Sequence, residues 1–133
     1  MLRRDGFPVT RLLIVDDHLA VRQGLQRMFA TVPGIEVVGV ASDGRQAVLL
    51  ADRHRPDVVL MDLEMPHLDG VEATRLITAT HQSVRVVILT VSHNHGRILD
   101  ALRAGAASYV LKHSDPDEVV RVVQDARREE QMT

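Results

Sequence analysis

A chain of 133 residues, 45% of them hydrophobic, is the length of one ordinary domain and apolar enough to fill one core. No stretch approaches the roughly 18 to 20 apolar residues of a membrane span, and the opening Met1-Leu2-Arg3-Arg4 leads into no signal-peptide core, so a soluble, cytoplasmic protein without a membrane partner is expected. The absence of cysteine excludes disulfides, thiolate chemistry and zinc ribbons, and a formal charge of −2 with mixed signs leaves no basic stripe for nucleic acid.

In chain order, residues 1–10 read as a loose leader. Leu12-Val15 reads as a strand buried on both faces, and Val21, Leu25, Met28, Phe29 and Val32 then recur at helical spacing until Pro33-Gly34. Ile35-Val40 is a second strand. Ser42 or Asp43 can cap a helix that carries Ala47, Leu50 and Ala51 and stops at Pro56. Val58-Met61 is a third strand. Asp69 with Glu72 three residues on has capping-box spacing, opening a helix with Val71, Leu76 and Ile77 inward. Arg85-Leu89 is a fourth strand, followed by a short helix that Asn94 can cap, with Ile98, Ala101 and Leu102 on one face, ending at Gly105. Ser108-Leu111 is a fifth strand. Ser114, Asp115, Asp117 and Glu118 put a cap and negative charge at the start of a last helix whose inner stripe is Val119, Val122, Val123 and Ala126. Five strands alternating with five helices predict an α/β fold, a doubly wound parallel sheet with helices on both faces. The domain is expected over 11–126, with 127–133 a helix end running toward a further segment.

Four of the apolar runs end in residues suited to phosphoryl chemistry: Asp16-Asp17, Asp62, Thr90 and Lys112. As neighbouring parallel strands they would gather these along one rim, where open α/β sheets bind ligands. Lys112 is the only lysine in the chain, and the planar fork of arginine cannot replace its ammonium atom for atom. Three crowded carboxylates repel one another unless a cation sits among them. Oxygen ligands suit Mg²⁺ or Mn²⁺. Asp17 and Asp62 can bind it directly, Asp16 through water, and the backbone carbonyl of Glu64 can complete the site. Asp62 would then remain ionised as a nucleophile, with Lys112, the Thr90 hydroxyl and backbone N–H groups screening the phosphoryl oxygens. Taken singly, each residue has a plainer reading: Asp16-Asp17 as a helix cap, Asp62 in a loop, Lys112 as a solvated charge. The four strand ends in register favour the joint site.

The strings Ile14-Val15-Asp16-Asp17-His18, Leu60-Met61-Asp62-Leu63-Glu64-Met65-Pro66, Leu68-Asp69-Gly70, Leu89-Thr90 and Ala104-Gly105-Ala106 through Lys112 resemble the receiver domain of two-component response regulators. The resemblance implies a flavodoxin-like fold with strand order 2-1-3-4-5. It implies that Asp62 accepts phosphate from a phosphohistidine on a sensor histidine kinase, that Asp16 and Asp17 form the acidic pocket, and that Thr90 and Lys112 sense the phosphoryl group. Val21-Arg22-Gln23-Gly24-Leu25 and Ala106-Ala107-Ser108-Tyr109-Val110-Leu111-Lys112 are similar to NarL/FixJ-type transcriptional regulators. That similarity implies DNA binding through a helix-turn-helix domain outside this sequence, and a homodimer built on the face of the fourth and fifth helices or on the first and fifth. A free-standing receiver, or a pseudo-receiver that acts through protein–protein interaction, is the alternative.

Two features depart from the wider family pattern. His113 stands where many receivers have proline, so a trans peptide and a different loop are expected there. Glu64 and Ser92 occupy the positions that tune phosphoryl lifetime in similar receivers. Thr90 and Tyr109 would form the switch: the hydroxyl moves toward the phosphoryl group and the ring turns into the vacated space. The plainer reading of Tyr109 is a half-buried strand residue with its hydroxyl in water. His18 and His113 are expected to border the acids, and His93 and His95 lack a third metal ligand nearby. A haloacid dehalogenase-type phosphatase would need a second Asp two residues after the nucleophile, where Glu64 stands, so an enzyme is not expected. A flavin-binding protein would want more aromatic residues than this chain's 2%.

Overall fold

The computed structural model describes residues 8–91 and 93–132. Its elements alternate throughout: β1 (Thr10–Val15), α1 (Leu19–Ala30), β2 (Ile35–Ala41), α2 (Gly44–His54), β3 (Val58–Asp62), α3 (Gly70–Thr80), β4 (Arg85–Thr90), α4 (His95–Arg103), β5 (Ser108–Leu111) and α5 (Pro116–Met132). The strands form one parallel sheet in the order β2-β1-β3-β4-β5.

Successive side chains of a strand point to opposite faces, so each apolar run feeds two cores. Leu13, Val15, Val59, Met61, Val86 and Ile88 pack with Ala47, Ala51, Ala73, Ile77 and Ala101 of α2, α3 and α4. Leu12, Ile14, Val58, Leu60, Val87 and Leu89 pack with Phe29 of α1 and with Val119, Val123 and Ala126 of α5. The unbroken apolar character of β1, β3 and β4 follows from this double coverage.

Several expectations shift in detail. Residues 1–7 of the expected leader lie outside the described residues. Thr10 belongs to β1: its N–H donates to the Gly34 carbonyl and it pairs with Ile35. Val32 falls beyond α1, whose buried residue is Phe29. Leu76 is 45% exposed and Leu102 is 37% exposed, because Ala73 and Ile77, and Ile98 and Ala101, fill the inward stripes of α3 and α4. Asp43 rather than Ser42 caps α2, accepting from the Gln46 N–H at 2.8 Å. No peptide bond among the described residues is cis, so Lys112–His113 is trans as expected.

Candidate functional site

Register carries the strand ends to one rim. Val15 pairs with Met61, Asp62 with Leu89 and Thr90 with Leu111, and the Lys112 N–H donates to the Thr90 carbonyl at 2.7 Å. Asp16 follows β1 and is fully buried, Asp62 ends β3 with 3% exposure, and Asp17 lies half-buried beside them. Lys112 Nζ reaches 3.1 Å from Asp16 Oδ2 and 3.2 Å from Asp62 Oδ1. The ligand-capable atoms of Asp16, Asp17, His18 and Asp62 all lie within 4.8 Å of one another.

Backbone geometry holds the acids in place. The Asp16 N–H donates to Ala41 of β2 at 3.1 Å, and the Arg22 guanidinium donates to the Asp16 carbonyl at 2.9 Å. Asp16 Oδ1 accepts the His18 N–H at 2.9 Å. The N-cap position of α1 falls on His18, which makes no side-chain capping bond, so neither Asp16 nor Asp17 serves as the cap that a plainer reading would assign. His18 Nδ1 stands 3.0 Å from Asp17 Oδ1 and 3.3 Å from Asp16 Oδ1, bordering the acids as expected. His113 is exposed.

Electrostatics strain this arrangement. Burial first, and the Asp16 charge second, push the Asp62 carboxyl up to about 6, against the opposing pull of Lys112. Burial disfavours the Lys112 ammonium, but the Asp16 and Asp62 carboxylates outweigh it and hold Lys112 above the usual lysine range. Asp62 Oδ2, Asp16 Oδ2 and Asp17 Oδ1 are buried without a directed hydrogen bond; the last two have only the ionic contacts to Lys112 and His18. Three acids facing one ammonium, with orphaned oxygens among them, fit a divalent cation of the Mg²⁺ or Mn²⁺ type.

The other expected residues stand apart from this core. Thr90 is buried, and its Oγ1 accepts a hydrogen bond from Asn94 Nδ2 at 3.1 Å, with the Val91 carbonyl 3.5 Å away. Tyr109 is 47% exposed and lines a groove of about 300 Å³ with His95, Ile98, Leu99 and Leu102. The Glu64 carboxylate turns outward, 3.6 Å from Arg97 Nε of α4. Arg97 also donates to Asp69 Oδ2 at 2.9 Å and, with the α3 cap, keeps the Asp69 carboxyl below the usual carboxylate range despite some burial. His93 and His95 are exposed and join no metal-capable group among the described residues. Ser92 lies outside the described residues. The contacts of Arg22 and Arg97 emerge only in the fold, and Asn94, expected as a helix cap, is bonded instead to the Thr90 hydroxyl.

Comparison with known proteins agrees with this picture. The response regulator receiver domain matches residues 12–124. The chain is 42% identical over 113 residues to the response regulator GacA of Pseudomonas protegens, covering 85% of this chain and 53% of that protein. It is 38% identical over 113 residues to the transcriptional regulatory protein DegU of Brevibacillus brevis, covering 85% of this chain and 48% of that one. The chain thus spans about half the length of these curated relatives. The structure of the signal receiver domain of the response regulator NarL from Mycobacterium tuberculosis superposes with a TM-score of 0.86 at 32% identity, covering 91% of this chain and 98% of that one. With the strand order, the acidic rim and the family match in agreement, the chain belongs to the response regulator receiver domains.

Proposed function

We propose that Asp62 is the phosphoacceptor of a two-component signalling protein, taking a phosphoryl group from a phosphohistidine on a sensor histidine kinase. The observation that carries this reading is the set of three clustered carboxylates opposite one ammonium, with Asp62 Oδ2 lacking any hydrogen bond. Asp17, Asp62 and the Glu64 carbonyl would hold Mg²⁺ or Mn²⁺, with Asp16 acting through water. When bound, the ion supplies charge that keeps Asp62 ionised and screens the incoming phosphoryl oxygens.

The chain's own groups do the rest. Lys112 holds one oxygen of Asp62, which leaves the carboxylate able to present the other. An Asp62 oxygen attacks phosphorus, a P–O bond forms and the P–N bond breaks. The departing imidazole, protonated on its other nitrogen, keeps the bonding pair and so leaves as a neutral ring. In this reading Lys112 and the Thr90 hydroxyl receive phosphoryl charge, so the step is mainly positioning and electrostatics. Thr90 and Tyr109 then form the switch that alters the α4–β5 face.

The relatives named as regulators of transcription support an output on DNA, delivered by a helix-turn-helix domain outside this sequence and controlled by homodimerisation. A cytoplasmic location fits that role, and no helix among the described residues is long and apolar enough to cross a membrane. A partner-binding module without phosphoryl chemistry has no need for the complete set of Asp16, Asp17, Asp62, Thr90 and Lys112.

Incubation with Mg²⁺ and acetyl phosphate, read by intact mass, tests the assignment. One base-labile phosphoryl group is expected on the wild type, none on Asp62→Asn, and none in the presence of chelator. Equal labelling of the Asn variant would overturn it.

A further inference from the structure

Asn94 occupies the N-cap position of α4 but does not cap it. Asparagine there ordinarily accepts a hydrogen bond from the second or third helical N–H. The same chain supplies two working examples: Asp43 (ψ 173°) accepts from Gln46 N–H, and Asp69 (ψ 173°) accepts from Glu72 N–H. Asn94 sits at ψ 40°, makes no side-chain capping bond, and donates its amide to the Thr90 hydroxyl oxygen at 3.1 Å instead. Its carbonyl already accepts the first helical bond, from Ile98 N–H at 2.9 Å, so the helix begins here without a capping bond from the Asn94 side chain.

We propose that Asn94 is a two-position positioning residue that couples the Thr90 hydroxyl to the first turn of α4. The coupling rests on the phosphoacceptor reading of Asp62. With the site unmodified, Asn94 holds Thr90 and leaves α4 uncapped. When Thr90 turns its hydroxyl to a phosphoryl oxygen, Asn94 is released, its ψ moves to the extended range used by Asp43 and Asp69, and its side chain caps Gly96 or Arg97 N–H. Arg97 remains tied to Asp69, so the helix body stays anchored while its first turn changes. The surface beside Tyr109, lined by His95, Ile98 and Leu99 from that same segment, changes with it.

Two variants separate the halves of this device. Asn94→Ser keeps a capping oxygen but is too short to reach Thr90; Asn94→Ala loses both bonds. The probe is beryllofluoride with Mg²⁺, a tetrahedral stand-in for the phosphoryl group, titrated into ¹⁵N-labelled protein. In the wild type, the Gly96 and Arg97 amide resonances are expected to move downfield on titration. In Asn94→Ser they should already be displaced before addition and move little on titration, with apparent affinity within about twofold of wild type, because the cap is then present in both states. In Asn94→Ala the two losses offset, and affinity stays within about twofold of wild type without the downfield movement.

A wild-type protein whose Asp62 region ignores beryllofluoride would overturn the phosphoacceptor reading and this coupling together. A wild type that responds around Asp62 while Gly96 and Arg97 stay still, or an Asn94→Ser variant whose Gly96 and Arg97 amides start at the wild-type resting positions, would overturn the coupling alone.

Discussion

The Asp62 carboxylate lies 3.2 Å from the Lys112 ammonium, yet its pKa is still pushed up to about 6. One cation shared with a second carboxylate does not repay the desolvation of Asp62, because Asp16 also draws on it at 3.1 Å. The site is therefore electrostatically unfinished as it stands, and its stability and its chemistry pull in opposite directions.

The first expected outcome is that Asp62→Asn stabilises the metal-free protein at neutral pH. A carboxyl whose folded pKa of about 6 exceeds its ordinary 3.8 contributes stability that is fully present below about 3.8 and lost as pH rises through about 6. The amide removes that loss. In chelator at pH 7.5 the variant should unfold about 4 °C higher or more, a gain of about 1 kcal/mol after allowing for screening. At pH 3.5 the two proteins should melt together. Calorimetry at both pH values checks the sign.

Magnesium should reverse that ranking. Saturating Mg²⁺ is expected to raise the melting temperature of the wild type and to leave Asp62→Asn nearly unmoved. Because protons compete with the ion for Asp62, affinity measured by titration calorimetry should be flat above about pH 7 and fall up to tenfold per unit below about 6.

Lys112→Arg should keep the charge and lose the function. The guanidinium is a broad planar fork, whereas Nζ is a point donor fitted between Asp16 Oδ2 and Asp62 Oδ1. Phosphoryl uptake from acetyl phosphate, followed by intact mass, is expected to slow at least tenfold. An Arg variant labelled at the wild-type rate would show that charge alone suffices.

Two glycines should respond oppositely to alanine. At Gly70 a Cβ would overlap the Asp62 carbonyl oxygen and stand 2.8 Å from Leu63 Cα, backbone that cannot move aside. Gly70→Ala should cost about 3 kcal/mol and disturb the strand end that carries Asp62. At Gly24, within α1, a Cβ meets nothing within 4 Å, so Gly24→Ala should stabilise by about 0.5–1 kcal/mol. Denaturant titration of the pair separates steric closeness from backbone entropy.

These contrasts also show which parts of the molecule the sequence reveals. Apolar runs ending in Asp16, Asp62 and Thr90 mark strand ends directly, since a strand buried on both faces leaves no other place for a polar residue than its terminus. Residue type alone also suggests a cap at Asn94, and there it misleads: ψ at that position is set by the turn from Val91, and the nearby Thr90 hydroxyl competes for the amide. The contacts of Arg22 and Arg97 are not legible along the chain: one reaches the Asp16 carbonyl and the other bridges α4 to Asp69 and Glu64. Leu76 and Leu102 fit helical periodicity yet face outward, because small residues beside them satisfy the inward stripe.

Tyr109 offers the most direct optical test of switching. It is the only tyrosine in a chain without tryptophan, so intrinsic emission reports this one ring. Its present exposure of 47% on the α4–β5 groove should make it readily quenched by iodide. If the ring turns inward behind Thr90, beryllofluoride with Mg²⁺ should lower the quenching constant about twofold in the wild type and leave Asp62→Asn unaltered. A wild type that binds the analogue with unchanged quenching would make Tyr109 a fixed strand residue, and the surface change would then have to come from α4 alone.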